Sequence, residues 1–239
     1  MIEAPRRLFK EASVHEQDGG FRVYLDRRAL ATPAKAPLHV TSRALAEAIA
    51  EEWRRQENRI RPAEMPITQF ANTALDRVAS QPMAVVEGLL AFAGTDLVCY
   101  RAESPEALVE RQQQLWQPLL DWLEGRHGAA LAVHRGVVPR PQPADAIQRL
   151  GRHLAGLDAF TLTALDNATR AASSLVIGLA LIEGRLSPDE AFALSQLDET
   201  FQIERWGEDG EAAARRRALM AEFGLVHRFL RLLREEPAA

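Results

Sequence analysis

The chain has 239 residues, enough for one large domain or a domain with a smaller lobe, and 47% hydrophobic with 26% charged residues is the balance of an ordinary globular protein. The formal net charge is −4 and no long basic stripe offsets it, so no nucleic-acid partner is expected; Arg215-Arg216-Arg217 is short and follows Glu208, Asp209 and Glu211 closely. The longest apolar run, Leu175 to Ile182, falls well short of the ~20 residues of a spanning helix, so no membrane insertion is expected.

The single cysteine, Cys99, excludes a disulfide within the chain and suits a reducing compartment, with Cys99 itself read as a small buried residue. Met1 to Lys10 mixes charges of both signs without an apolar core, unlike a secretory signal or an organelle transit peptide. A bacterial cytoplasm is the expected location.

The first forty residues read as β structure. Phe21 to Leu25 alternates apolar and polar side chains, Asp26-Arg27-Arg28 can turn the chain, Ala29 to Thr32 can run back, and Leu38-His39-Val40 suits a third strand beyond Pro33 and Pro37. The expected organisation is α+β: a small antiparallel β lobe over 1–40, then a larger helical domain over 41–239.

From Thr41 onward the spacing is helical. Thr41 or Ser42 caps a helix with Leu45, Ile49 and Trp53 on one face. Ile60 to Met65 is a connector. Helices are predicted over Phe70 to Val78 and Met83 to Phe92, the second ended by Gly94. Ser104-Pro105-Glu106 starts a helix bearing Leu108, Leu115, Trp116, Leu119, Trp122 and Leu123, with Pro118 expected to kink it and Gly125 to Gly128 to end it. A short strand over Ala130 to His134 and a proline-rich crossing over Gly136 to Pro143 come next. Further helices are predicted over Ala144 to Leu154, Ala159 to Glu183, Ser187 to Trp206 and Glu211 to Arg234, with an interruption at Gly224. The Ala159 to Glu183 segment is apolar almost all round, which places it in the middle of a bundle.

Common catalytic signatures are missing: there is no glycine-rich phosphate loop and no G-x-S-x-G elbow. His15, His39, His127, His134, His153 and His227 never sit one helical turn from each other with an acid, so no metal site and no cofactor are expected.

Three stretches are more particular than a generic helical protein requires. Met65-Pro66 precedes Asn72-Thr73-Ala74 and Asp76, and Asn72 and Asp76 are one turn apart. Thr95-Asp96-Leu97 runs into Cys99-Tyr100-Arg101. The late helix places Leu194, Leu197 and Phe201 on one line, and Glu199, Gln202 and Trp206 on a neighbouring one. Periodicity puts Trp206 in the core, with an interface anchor as the other reading.

In order and spacing, these segments, with Leu25-Asp26 to Pro33, Trp116, Pro118, Trp122, Gln202 and Trp206-Gly207, resemble the chaperones that assemble the catalytic head of F-type ATP synthase. The resemblance runs from about Arg7 to Phe229. It implies a binding protein and not an enzyme, a β lobe joined to a helical domain, and a free ATP synthase α subunit as partner. It also implies an acid on the late helix that matters for function: Glu199 first, Asp198 second. The expected partner-binding set is Glu199, Asp198, Gln202, Trp206, Glu204, Asn72, Asp76 and Asp96, on a chain expected to be monomeric. The alternatives are an enzyme using carboxylates such as Asp76, Asp96 and Glu199 in a cleft, and a helical carrier of a small ligand.

Overall fold

The computed structural model describes residues 5–136 and 140–235. Four strands form the N-terminal sheet: β1 (Ala12–Gln17), β2 (Gly20–Leu25), β3 (Arg28–Ala29) and β4 (His39–Val40). β2 is the hub. It pairs antiparallel with β1 from Ala12↔Leu25 to Gln17↔Gly20, and β3 and β4 pair with its two ends. β1 is absent from the sequence reading because it is an edge strand with only two apolar residues. The stronger signal was the turn: Asp18 and Gly19 both take positive φ, the backbone that a two-residue hairpin of matching twist demands.

Helix α1 (Arg43–Arg54) begins where Ser42 accepts the N–H of Leu45 at 3.1 Å, and it packs on β1 and β2. Its buried Glu52 accepts the N–H groups of Ile67 and Thr68 and the Thr68 hydroxyl, capping helix α2 (Pro66–Thr73) from outside. This cap starts α2 four residues before the expected Phe70, and Ala74–Val78 continues it as a π turn.

The remaining elements are α3 (Pro82–Gly94), β5 (Tyr100–Arg101), α4 (Glu106–His127), β6 (His134–Arg135), α5 (Ala144–Ala155), α6 (Ala159–Ala172), α7 (Leu175–Ile182), α8 (Pro188–Ser195), α9 (Leu197–Trp206) and α10 (Gly210–Arg234). A sheet followed by helices is the α+β class expected. Two compact units emerge: residues 1–81, 158–163 and 228–239, so far as described, and residues 82–157 with 164–227. The boundary expected after residue 40 falls inside the first unit, because α1 lies on the sheet.

Two predicted helices are each divided. The Ala159 to Glu183 segment breaks at Ser173, whose φ is +52°, and Ser174 then caps α7 by accepting the N–H of Ile177. All eight residues of α7 are buried, as its all-round apolarity implies. The Ser187 to Trp206 segment breaks at Gln196, and Ser187 and Glu190 form the reciprocal cap that starts α8. Gly224 does not interrupt α10, and α4 runs through Pro118 to Gly128, whose φ of +65° ends it. Of the strand expected over Ala130 to His134, only His134 pairs, in a two-residue parallel ladder with β5. The crossing expected over Gly136 to Pro143 lies in part outside the described residues. Pro82–Cys99 is an 18-residue stretch apolar enough to suit a membrane span, but its α-helix stops at Gly94 and Asp96 follows.

Candidate functional site

The second unit gathers most of the expected site residues. Beyond Gly94, Asp96 caps a single 3-10 turn, Leu97–Cys99, by accepting the N–H of Val98. The same carboxylate accepts the Ser174 hydroxyl and the N–H of Val176, tying this turn to the start of α7. Asp96 is 0% exposed. It therefore holds the interior together and presents nothing to a partner, contrary to its place in the expected binding set. Burial raises its pKa to about 6, against the pull of its hydrogen bonds.

The turn delivers Tyr100 and Arg101 to β5. Arg101 is buried, with its guanidinium 5.2 Å from the centre of the Trp116 ring, and its three nitrogens find no hydrogen-bond partner among the described residues. Burial lowers its pKa, while the negative charge of nearby Asp198 opposes the shift. Trp116 on α4 donates its indole N–H to the carbonyl of Leu194 at 3.0 Å, which anchors the last turn of α8. One turn earlier on α4, Gln112 donates to Asp198 Oδ1 at 2.8 Å and accepts the N–H of Ala102 at 2.7 Å.

These contacts place Asp198 in the wall of a cavity of about 660 Å³, lined also by Thr95, Leu97, Tyr100, Arg101 and Gln112. Burial raises the Asp198 pKa; the Gln112 hydrogen bond and the Arg101 charge oppose it. Cys99 lies behind this wall with its thiol pushed up by burial, which makes it inert as a nucleophile.

Asp198 and its neighbour Glu199 serve different surfaces, since successive helical residues point about 100° apart. Glu199 lines a groove of about 390 Å³ with Arg215, Arg216, Leu219 and Glu222 of α10. Farther along α9, Phe201 is buried, and the guanidinium groups of Arg111 and Arg205 lie 5.2 and 4.1 Å from its ring centre. Glu204 pairs with Arg111 at 2.9 Å, and Gln202 is exposed. Trp206 is 76% exposed, so the core reading of its periodicity fails. It is the last residue of α9, and Gly207 at φ +84° turns the chain away before anything packs over the ring.

Asn72 and Asp76 belong to the first unit and are half-buried. Asp76 accepts the N–H of Ala34 at 3.0 Å and so holds the loop between Pro33 and Pro37. Sequence reasoning missed Gln112, Arg101 and Arg111 as site residues. Gln112 was detectable: it interrupts the apolar face that carries Leu108, Trp116, Leu119 and Leu123, and a lone amide on such a face needs partners.

Residues 6–124 match the family described as ATP12 chaperone protein. The structure resembles that of Atp12 from Paracoccus denitrificans, at 44% identity over 96% of this chain and 98% of that one with a TM-score of 0.90. An Asp-to-Lys mutant of the Paracoccus protein superposes equally well, with a TM-score of 0.91. The Atu1473 protein of Agrobacterium tumefaciens is 42% identical, covers 96% of this chain and 85% of its own, and gives a TM-score of 0.86. The mitochondrial protein atp12 of Schizosaccharomyces pombe is 26% identical over 214 residues, 84% of this chain and 74% of its own. With more than two-fifths identity over nearly the full length of the Paracoccus protein and the same fold, this chain belongs to the ATP12 chaperone family.

Proposed function

We propose that this protein is an assembly chaperone for the catalytic head of F-type proton-translocating ATP synthase. It binds the unassembled α subunit and prevents its aggregation until the β subunit joins. A subunit built to be buried in a ring exposes apolar surface that aggregates when left open. A chaperone without an energy source must cover that surface and still yield it, which calls for a few aromatic anchors inside a polar rim.

The observation that carries this reading is Trp206. A Trp left 76% exposed at the tip of a helix, beside exposed Gln202 and the Glu204–Arg111 pair, is the arrangement of an interface anchor rather than of a core. In this reading α9 is the contact: Trp206 fills an apolar recess, Glu199 pairs with a basic group of the α subunit, and the cavity walled by Asp198 receives a protruding side chain. Asn72 and Asp76 form a second contact in the first unit. The chaperone acts as a monomer in a bacterial cytoplasm.

The test is a pull-down of the purified chaperone with the isolated α subunit of the same organism, with β as control, and light scattering to follow α aggregation. Capture of α but not β, with reduced scattering, is the expected result. Failure to bind or protect folded α overturns the proposal.

A further inference from the structure

We infer that the second unit carries a binding site for one divalent transition-metal ion of the zinc class, formed by His127, His153 and Glu183. Nε2 of His127 lies 2.9 Å from Oε1 of Glu183, and Nε2 of His153 lies 3.3 Å from the same oxygen. The three ligand atoms all fall within 4.8 Å of one another, the one such convergence of His, Cys, Asp or Glu among the described residues. Ions of this class sit about 2.0–2.2 Å from imidazole nitrogen and carboxylate oxygen, so tetrahedral ligands of one ion stand roughly 3.3 Å apart. The His153–Glu183 spacing is that of ligands around one ion, and the His127–Glu183 spacing is a few tenths of an ångström shorter, a difference that a small side-chain shift supplies.

The hydrogen bonding points the same way. All three atoms are buried, yet none has a hydrogen-bond partner of acceptable geometry. A simple His–Glu pair would aim a ring N–H along its line to the carboxylate. Here neither ring makes a well-aligned hydrogen bond to Oε1 despite the short distances, and an ion would satisfy three buried polar atoms at once. Arg126 Nε lies 3.1 Å from Oε2 of Glu183, which occupies the second carboxylate oxygen and leaves Oε1 for a single metal bond.

The helices supply the right field. His127 is the last residue of α4, His153 lies in the last turn of α5, and Glu183 caps the C-terminus of α7. Three C-terminal helix ends, each carrying partial negative charge, converge on one point, and that favours a cation. Two imidazoles and a carboxylate suit zinc and its neighbours over magnesium or calcium, which prefer oxygen-only sets. The Trp122 ring stands edge-on to His127, 5.6 Å between centres, and helps fix its orientation. The sequence reading expected no metal because it sought ligands within one helix; these three come from three helices.

The experiment uses the untagged full chain, stripped with a chelator. Zn2+ alone is titrated in competition with a chromophoric chelator, and Co2+ alone is followed by visible absorption. One ion per chain is expected, with the intense bands of four-coordinate Co2+. His153→Gln and Glu183→Gln, checked for fold by near-UV circular dichroism, are expected to bind Zn2+ at least tenfold more weakly. His153 is the more exposed of the two histidines, so its variant is the one least prone to misfold. Absence of a stoichiometric ion in the wild-type chain, or unchanged affinity in folded His153→Gln, overturns the inference.

Discussion

Gln112 uses both ends of its amide to join distant parts of the chain: its N–H group holds Asp198 at 2.8 Å, and its oxygen holds the N–H of Ala102 at 2.7 Å. It is 1% exposed, so its own amide depends on these two partners. Through this one residue the strand that carries Arg101 and the helix that carries Asp198 share a fixed geometry.

Gln112→Leu is therefore expected to destabilise the fold by about 1–3 kcal/mol, because it takes their partner from the part-buried N–H of Ala102 and the part-buried carboxylate of Asp198. Gln112→Glu keeps the acceptor for Ala102 but sets a second carboxylate against Asp198, and low pH should relieve it. Urea midpoints of both variants at pH 5 and 8 check this. If Gln112→Glu were as stable as wild type at pH 8, Gln112 would not organise Asp198.

Asp96 predicts a pH dependence of stability. Its pKa is about 6 in the folded protein and near 3.8 in the unfolded chain. The folded state thus holds the proton more tightly between those values. The stabilisation is present in full below the unfolded value and is lost as pH rises through the folded one, about 3 kcal/mol in all. Asp96→Asn should remove that slope between pH 4 and 6. Asp96→Ala should cost about 3 kcal/mol or more at any pH, since Ser174, Val98 and Val176 all lose their acceptor. Denaturant curves of the three proteins from pH 4 to 7 decide it.

Asp96 also shows where sequence reading ends. Its neighbourhood, Thr95 to Arg101, was recognisable as a break between helices, and the helix that follows was legible from Ser104-Pro105-Glu106. Nothing local said that Asp96 would cap a turn and, at once, accept from the start of α7, nearly eighty residues on. The break at Ser173 was hidden for the same reason: the bonds that make it worthwhile come from Asp96. Trp206 failed differently. Periodicity assigns a face, but it cannot tell that the chain leaves at Gly207 before anything covers the ring. The apolar strands and helices were legible because their partners lie within a few residues, in the pattern itself.

Gly178 predicts a packing limit. A Cβ there would lie 2.6 Å from Thr169 Oγ1 and 3.1 Å from the Thr169 backbone nitrogen, so α6 and α7 approach too closely for any side chain. Gly178→Ala should destabilise by about 1–3 kcal/mol despite the better helix propensity of Ala. Adding Thr169→Ala should restore part of the loss, because it removes the oxygen but not the backbone contact. A double-mutant cycle on urea midpoints would show this coupling. Strict additivity would mean that the close approach is not what Gly178 serves.

Trp206 and Phe201 separate binding from folding on one helix. Phe201 is buried, and Phe201→Ala should cost about 3–5 kcal/mol of stability. Trp206 touches little of its own chain, so Trp206→Ala should leave stability within about 0.5 kcal/mol. If Trp206 anchors the α subunit, the same change should weaken that complex by about 2 kcal/mol, roughly thirtyfold. Glu199 belongs to the same test, because charge reversal opposes a basic partner where neutralisation only removes the attraction. Glu199→Lys should then lose more affinity than Glu199→Gln. Titration calorimetry with the isolated α subunit, alongside melting curves of each variant, reads both effects. Full affinity in Trp206→Ala would move the contact off the tip of α9, and full affinity in both Glu199 variants would remove Glu199 from it.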